Sequence, residues 1–281
     1  MSTVSTIKDI MVHLDGTDED EVRLAHAEAL ASSFEAYLTG LYINLIPGDG
    51  WPLAPEFLSE LLVELQEKTR DDGNRVETRL DQRFQRLAVP NQLKRLDLYL
   101  VELYHAIAVQ TRCTDLFIAS RPYDATGEDR WTGVFETALY HSGRAAYILP
   151  PGRQPTAGDS VLVAWNGSRQ ASRAVAEAIP FMQRAKQVHI ALVEDGAAEE
   201  RGEENGADLA RHLSRHGIAV EIRHVADWHR RSAALLNEIE RLGCDLVVMG
   251  AYGHSRLQEW MLGGVTRDFL KKCPVPMLMA R

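Results

Sequence analysis

The sequence predicts an α/β fold built twice in tandem, each copy an open parallel sheet of about five strands with helices on both faces. Three observations lead there. At 281 residues the chain lies in the range of roughly 250–300 at which one core usually stops growing, so two domains fit better than one. Short apolar runs alternate with helical patterns, which builds a parallel sheet covered by helices. The chain also repeats itself: Ile10-Met11-Val12-His13-Leu14-Asp15-Gly16-Thr17 aligns with Val161-Leu162-Val163-Ala164-Trp165-Asn166-Gly167-Ser168. Asp115-Leu116-Phe117-Ile118-Ala119 aligns with Asp245-Leu246-Val247-Val248-Met249, and Ala145-Ala146-Tyr147-Ile148-Leu149 with Val275-Pro276-Met277-Leu278-Met279.

The first match has a spacing of 151 residues and the later two a spacing of 130, so the first copy is longer in its middle by 21. Residues 150–158 carry three prolines and two glycines without periodicity and read as a linker. The expected organisation is therefore a domain at 1–150, a linker at 151–158 and a second domain at 159–281.

The second copy is the cleaner one. Its apolar runs predict strands at 161–164, 188–193, 220–225, 246–249 and 275–280. Ser168 is placed to cap a helix whose face is Ala174, Val175, Ala178, Ile179 and Met182. Further helices are expected at 207–216, at 232–242 with Leu235, Leu236, Ile239 and Leu242 aligned, and from about residue 264 to 272, before Pro274. Pro276 cannot donate to a ladder, which places the last strand at a sheet edge.

In the first copy, His13 on an apolar strand reads as a satisfied core histidine. Asp15, Gly16 and Thr17 read as strand-end and capping chemistry. The extra segment runs through Trp51-Pro52-Leu53-Ala54-Pro55-Glu56-Phe57-Leu58 into a helix with Leu61, Leu62 and Leu65. Three roles are open to it: lining an apolar pocket, covering a partner, or packing on its own domain.

Composition narrows the function. Hydrophobic residues make up 45% and charged residues 25%, as in ordinary globular domains. A net charge of −9 argues against a general nucleic-acid binder. No apolar run reaches the roughly 18–20 residues of a membrane span, and residues 1–9 lack a basic stretch leading into an apolar one. Cys113, Cys244 and Cys273 form no CxxC pair, which fits a reducing compartment. A cytoplasmic protein without membrane or nucleic-acid partners is expected. Cys113 and Cys244, each just before an aspartate that opens a strand, are expected to be buried.

The strongest motif follows Met249: Gly250-Ala251-Tyr252-Gly253-His254-Ser255-Arg256-Leu257-Gln258-Glu259-Trp260-Met261-Leu262-Gly263-Gly264-Val265-Thr266. Two glycines stand three apart, and nine residues intervene before a glycine pair that opens a helix. Glycine lets the chain turn off a strand and lets a polyphosphate touch backbone N–H groups. Gly263 and Gly264 lie at a helix N-terminus, where unpaired N–H groups and the dipole favour an anion. The spacing is neither a GK[ST] phosphate loop nor a GxGxxG dinucleotide turn.

This stretch resembles the G-2x-G-9x-G-[ST] signature of nucleotide-binding universal stress proteins. The resemblance runs from Ser160 to Arg281, with a weaker echo from Ile7 to Pro150. It implies a flavodoxin-like (Rossmann-like) open sheet and ATP or a related adenine nucleotide, with an accompanying Mg ion left open. It also implies pairing through the last strand, here between the two domains of one chain, with a homodimer left open. Adenine and ribose contacts carry over to Ala164, Trp165, Asn166 and Val193. Ribose and phosphate contacts carry over to Met249, Gly250, Tyr252, Gly253, Gly263, Gly264, Val265 and Thr266.

Two positions depart from the family pattern. Asn166 stands for the usual acid, an amide that can pair with adenine but is a poorer metal ligand than a carboxylate. Gly264 stands for the usual hydroxyl residue, which Thr266 and Ser255 are near enough in sequence to replace. In the first copy Ser120 and Tyr123 replace Gly250 and Gly253, with Pro122 between them, and only Gly133 matches Gly263, so no triphosphate is expected there.

Catalytic candidates are sparse. His254, Arg256 and Glu259 in the glycine loop, and His224, Asp227 and His229 after a strand, read as solvated side chains without a base-and-metal arrangement. The expected function is a stress-response binding module for an adenine nucleotide. The alternatives are a slow ATPase using the same pocket and a ligand-free scaffold acting through protein contacts.

Overall fold

The computed structural model describes residues 7–48, 57–124, 127–128, 131–193, 199–225, 231–251 and 265–281. The first half contains β1 (Asp9–Leu14), α1 (Glu19–Phe34), β2 (Tyr37–Leu45), α2 (Phe57–Phe84), β3 (Asn91–Leu98), α3 (Leu100–Thr111) and β4 (Leu116–Ser120). A two-stranded ribbon, β5 (Tyr123–Asp124) with β6 (Gly127–Glu128), precedes α4 (Thr132–His141) and β7 (Ala145–Leu149). The second half contains β8 (Ser160–Trp165), α5 (Arg169–Met182), β9 (Gln187–Val193), α6 (Glu199–Arg215), β10 (Glu221–Val225), α7 (Arg231–Leu242), β11 (Leu246–Gly250), α8 (Val265–Lys272) and β12 (Met277–Ala280). The chain from 151 to 159 has neither helix nor strand.

Strand order runs β10-β9-β8-β11-β12-β7-β4-β1-β2-β3 through one ten-stranded sheet. Each half has the order 3-2-1-4-5, which is Rossmann-like rather than the 2-1-3-4-5 of flavodoxin. All neighbours are parallel except β7 and β12, which pair antiparallel with Met277, Leu278 and Met279 opposite Ile148, Tyr147 and Ala146.

The central strands are apolar because both faces are covered. Val161 and Val163 join one buried cluster with residues of α1, α2, α5 and α6. Leu162 and Ala164 join the other, with residues of α3, α4, α7 and α8. Both clusters cross from one half to the other. Ser168 caps α5 as expected, its Oγ accepting the Ala171 N–H at 3.2 Å.

The edge position expected for the last strand is not what forms. Pro276 lies just outside β12, where its carbonyl accepts the Val247 N–H at 3.0 Å, and the strand begins at Met277 with every N–H available. β12 is thus an interior strand, bonded to β11 and β7. Cys113 is exposed, also against expectation, because it sits in the turn after α3; Cys244 is buried as expected.

The longer middle of the first half is α2, 28 residues against 17 in α6. Residues 51–56 lie outside the described residues. Leu61 and Leu65 are exposed; α2 packs instead through Val76, Leu80 and Phe84 further along.

Aromatic rings seal one face of the junction. Tyr147 of β7 stacks on Phe181 of α5 at 5.9 Å, and Phe181 meets Phe34 of α1 edge-on at 5.0 Å. Arg184 lies over Phe34 at 4.2 Å and donates to the Ser33 carbonyl. Complete burial pushes the Tyr147 phenol well above its ordinary pKa. His26 of α1 ties down the linker, its Nε2 lying 2.9 Å from the Arg153 carbonyl.

Two outcomes are expected. Phe181→Ala removes a ring shared by both halves and should lower the unfolding free energy by about 3–5 kcal/mol in urea titrations. His26 and His189 are both held below the ordinary histidine pKa, burial outweighing the favourable Arg153 carbonyl and Glu221 respectively. Both therefore take up protons more readily unfolded. Their contribution is complete above the ordinary histidine value of 6.5 and is lost as pH falls through their folded values. The urea midpoint should fall on acidification below that value, and His26→Gln should flatten the fall.

Candidate functional site

In sheets of this order ligands bind outside the carboxyl ends of the strands, where the order reverses. In the second half that point lies between β8 and β11. Ala164 and Met249 are direct partners across it, and Gly250 ends β11. Trp165 pairs with Leu192 of β9, whose last residue is Val193. Val265 opens α8 and packs on the cluster containing Ala164 and Met249; Thr266 follows it. The described part of the expected site is thus gathered at one end of the sheet. Tyr252, Gly253, Gly263 and Gly264 lie outside the described residues, as do His254, Ser255, Arg256, Glu259, Asp227 and His229.

The turn after β8 is built by Asn166 and Gly167. Asn166 is exposed, and its Oδ1 accepts the Ser168 N–H at 3.1 Å. Gly167 has φ +70°, a conformation that favours glycine. Gly250 has a reason of its own to be glycine: a Cβ there would stand 2.4 Å from the Ala171 backbone N. The close approach it permits is that of the α5 N-terminus to β11. Trp165 carries a further feature, a buried indole N–H without a hydrogen-bond acceptor among the described residues.

The corresponding place in the first half is filled. Asp20 and Arg23 stand where the second half has Ala171 and Ala174. The Asp20 carboxylate accepts the N–H groups of Asp15 at 3.1 Å and Gly16 at 2.8 Å. Arg23 bridges Asp15 and Asp20, at 2.5 Å each, and donates to Ser120 Oγ at 3.2 Å. Main-chain amides that an anion would seek are thus met by an internal carboxylate, itself neutralised by an internal guanidinium.

One arginine serves two carboxylates, and they respond differently. Burial would raise the Asp15 carboxyl, but the charges of Arg23 and His13 and the bonds from Thr17 hold it at about 2. For Asp20 burial prevails over Arg23, and the nearby Asp15 charge adds to it, so its pKa is raised. Thr17 donates to Asp15 from both N and Oγ1, at 3.1 and 2.6 Å, so this loop does carry strand-end chemistry. The helix cap itself is Asp18, without a side-chain bond.

Two further groups close the first cleft. His13, in the position of Ala164, is buried against Trp131 with ring centroids 4.7 Å apart. α2 crosses the ends of β1 and β2. Arg79 donates to the Gly16 carbonyl at 2.7 Å, Asn44 donates to the Thr69 carbonyl at 3.3 Å, and a Cβ on Gly16 would meet Val76 at 3.1 Å. A cleft of about 240 Å³ between α1 and α2, lined by Asp18, Glu21, Arg79, Arg83 and Arg86 among others, lies beside this filled site.

Sequence reading missed Asp20, Arg23 and the path of α2. Two charges three apart in a first helical turn look like a solvated face. Setting them beside Ala171 and Ala174 was the available signal.

A duplicated Rossmann-like α/β unit, with the switch point of its first copy filled by buried charges, is the class these features define. Residues 159–281 match the universal stress protein family. The chain resembles a universal stress protein from Archaeoglobus fulgidus DSM 4304 with a TM-score of 0.73 at 16% identity, over 97% of this chain and 96% of that one. A putative universal stress protein from Pseudomonas aeruginosa UCBPP-PA14 aligns with a TM-score of 0.60 at 14% identity, over 98% and 93%. At such identities the likeness is one of fold, and its reach along both chains extends it to the tandem arrangement. Among curated proteins no match was found.

Arg23→Ala should leave two buried carboxylates without their cation and cost about 3–5 kcal/mol of stability in urea unfolding at neutral pH. The Asp15 carboxyl, lowered from 3.8 to about 2 in the native protein, now protects the fold above 3.8 and loses that effect as pH falls towards 2. In the variant it should titrate at or above 3.8 by carboxyl-detected NMR.

Proposed function

We propose that the second half binds an adenine nucleotide, ATP or a close relative, above β8 and β11, and that the protein is a cytoplasmic stress-response binding module. The observation that carries the reading is the difference between the two copies. Where the first half fills its switch point with Asp20, Arg23 and His13, the second has Ala171, Ala174 and Ala164. Alanines there lack the charged groups that meet the loop amides in the other copy.

The residues around that switch point suit adenine. The Trp165 N–H, lacking an acceptor among the described residues, matches a ring nitrogen. Asn166, being exposed, offers both an amide donor and an acceptor. Val193 and Met249 supply apolar strand ends. The phosphates fall to the glycine loop through Gly250, Tyr252, Gly253, Gly263, Gly264, Val265 and Thr266, an assignment that rests on the sequence pattern. Mg²⁺, if it accompanies the phosphates, gains little from Asn166, whose carboxamide carries no charge.

Calorimetric titration of the full chain with ATP tests the reading. One equivalent per chain is expected, with binding lost on Gly253→Trp. Trp165→Phe should weaken binding about fivefold, the worth of one ordinary hydrogen bond. Absence of binding by the native protein overturns the reading, and two equivalents per chain overturn its restriction to the second half.

A further inference from the structure

The ribbon after β4 occupies the chain position of the second half's glycine loop, and it makes contacts of its own. Tyr123, where the second copy has Gly253, is buried with its ring in the same apolar cluster as Phe269, Leu270 and Cys273. The Lys271 ammonium stands 5.3 Å from that ring's centroid. β5 packs directly on α8, although the two belong to different halves. Arg121, two residues before Tyr123, lies near enough to Cys273 to oppose the burial that raises its thiol to about 11.

α8 has only eight residues, a rod of about 12 Å at 1.5 Å per residue. Helices this short are marginal alone and take their position from packing. Its own domain holds it through Phe269 and Leu270, both fully buried. Its last turn, carrying Lys271, is held by the first half. Its first residues, Val265 and Thr266, belong to the proposed nucleotide site. Displacing one end of a rigid rod displaces the other. The junction is reciprocal: Arg281, at the end of the second half, lies over Tyr140 in the last turn of α4 at 4.2 Å.

We propose that Tyr123 is a positioning residue for the second half's nucleotide site, so that the degenerate loop of one copy braces the phosphate-side helix of the other. The proposal rests on the nucleotide reading for its ligand and on the Tyr123–α8 contact for its mechanism. The residue expected from sequence to bar a phosphate from the first half is thereby put to use in the second.

The test compares native protein, Tyr123→Ala and Tyr123→Phe as full chains, by hydrogen exchange without ligand and by ATP titration. Tyr123→Ala should lower protection of amides 265–272 about tenfold and weaken ATP binding about threefold to tenfold. Protection in β1 and α1 should stay unchanged. Tyr123→Phe keeps the ring face that Lys271 meets and should match the native protein in both measurements. Unchanged exchange at 265–272, or a loss of protection spread over the whole chain, overturns the brace. Faster local exchange with ATP affinity unchanged overturns its link to the site. If the native protein binds no ATP, the nucleotide reading falls and takes the positioning role with it, while local exchange still decides whether the contact holds α8.

Discussion

The antiparallel pairing of β7 with β12 is the contact on which the rest of the architecture depends. Each half, alone, would end its sheet on an apolar strand with a row of unpaired N–H and C=O groups. Joining the two removes both edges at once and lets two apolar clusters run unbroken across the junction. The edges that remain are β3 and β10, and these are the polar strands. Lys94, Arg95 and Asp97 line one, Glu221, Arg223 and His224 the other, and charges of this kind discourage further strand addition.

Reversal at that junction also turns the halves end for end. The carboxyl ends of β1 and β4 open at one end of the sheet, those of β8 and β11 at the other. The two switch points are therefore separate and free to diverge. In the first, buried Asp15, Asp20 and Arg23 supply charge complementarity from within the chain. Desolvating them is costly, and their mutual attraction with the loop amides offsets that cost only while all three are present. A copy built this way holds its loop without a ligand.

Much of this was legible because the repeat is strict at the strands. β1 and β8 are related by 151 residues at both ends, and β4 and β11 by 130. Parallel strands buried on both faces read as continuous apolar runs, so their positions were plain. The misreadings have local physical causes. Pro276 looked like an edge marker, yet a proline one residue outside a strand costs no ladder bond. Gly250 keeps its place in the motif, and the backbone of α5 adds a packing reason that only three dimensions reveal. Of the three roles open to Leu61 and Leu65, packing on their own domain is not what forms; α2 packs further along, around Val76 and Leu80, because the part that crosses β1 and β2 is the part that must be apolar. Asp20 and Arg23 were illegible as a pair because burial, not spacing, makes them one.

A shared core has a thermodynamic consequence for any ligand of the second half. Tyr147, Phe181 and Phe34 join strands and helices of both copies in one cluster. Unfolding either half exposes surface that the other half buries, so the two are expected to open together rather than as independent units. A ligand that binds only the native state then stabilises the whole chain, by about 2.7 kcal/mol when its concentration is a hundredfold above its dissociation constant. The first half, whose loop amides are met by Asp20, contributes a scaffold whose stability is present before any ligand arrives, against which the second half can be held in shape.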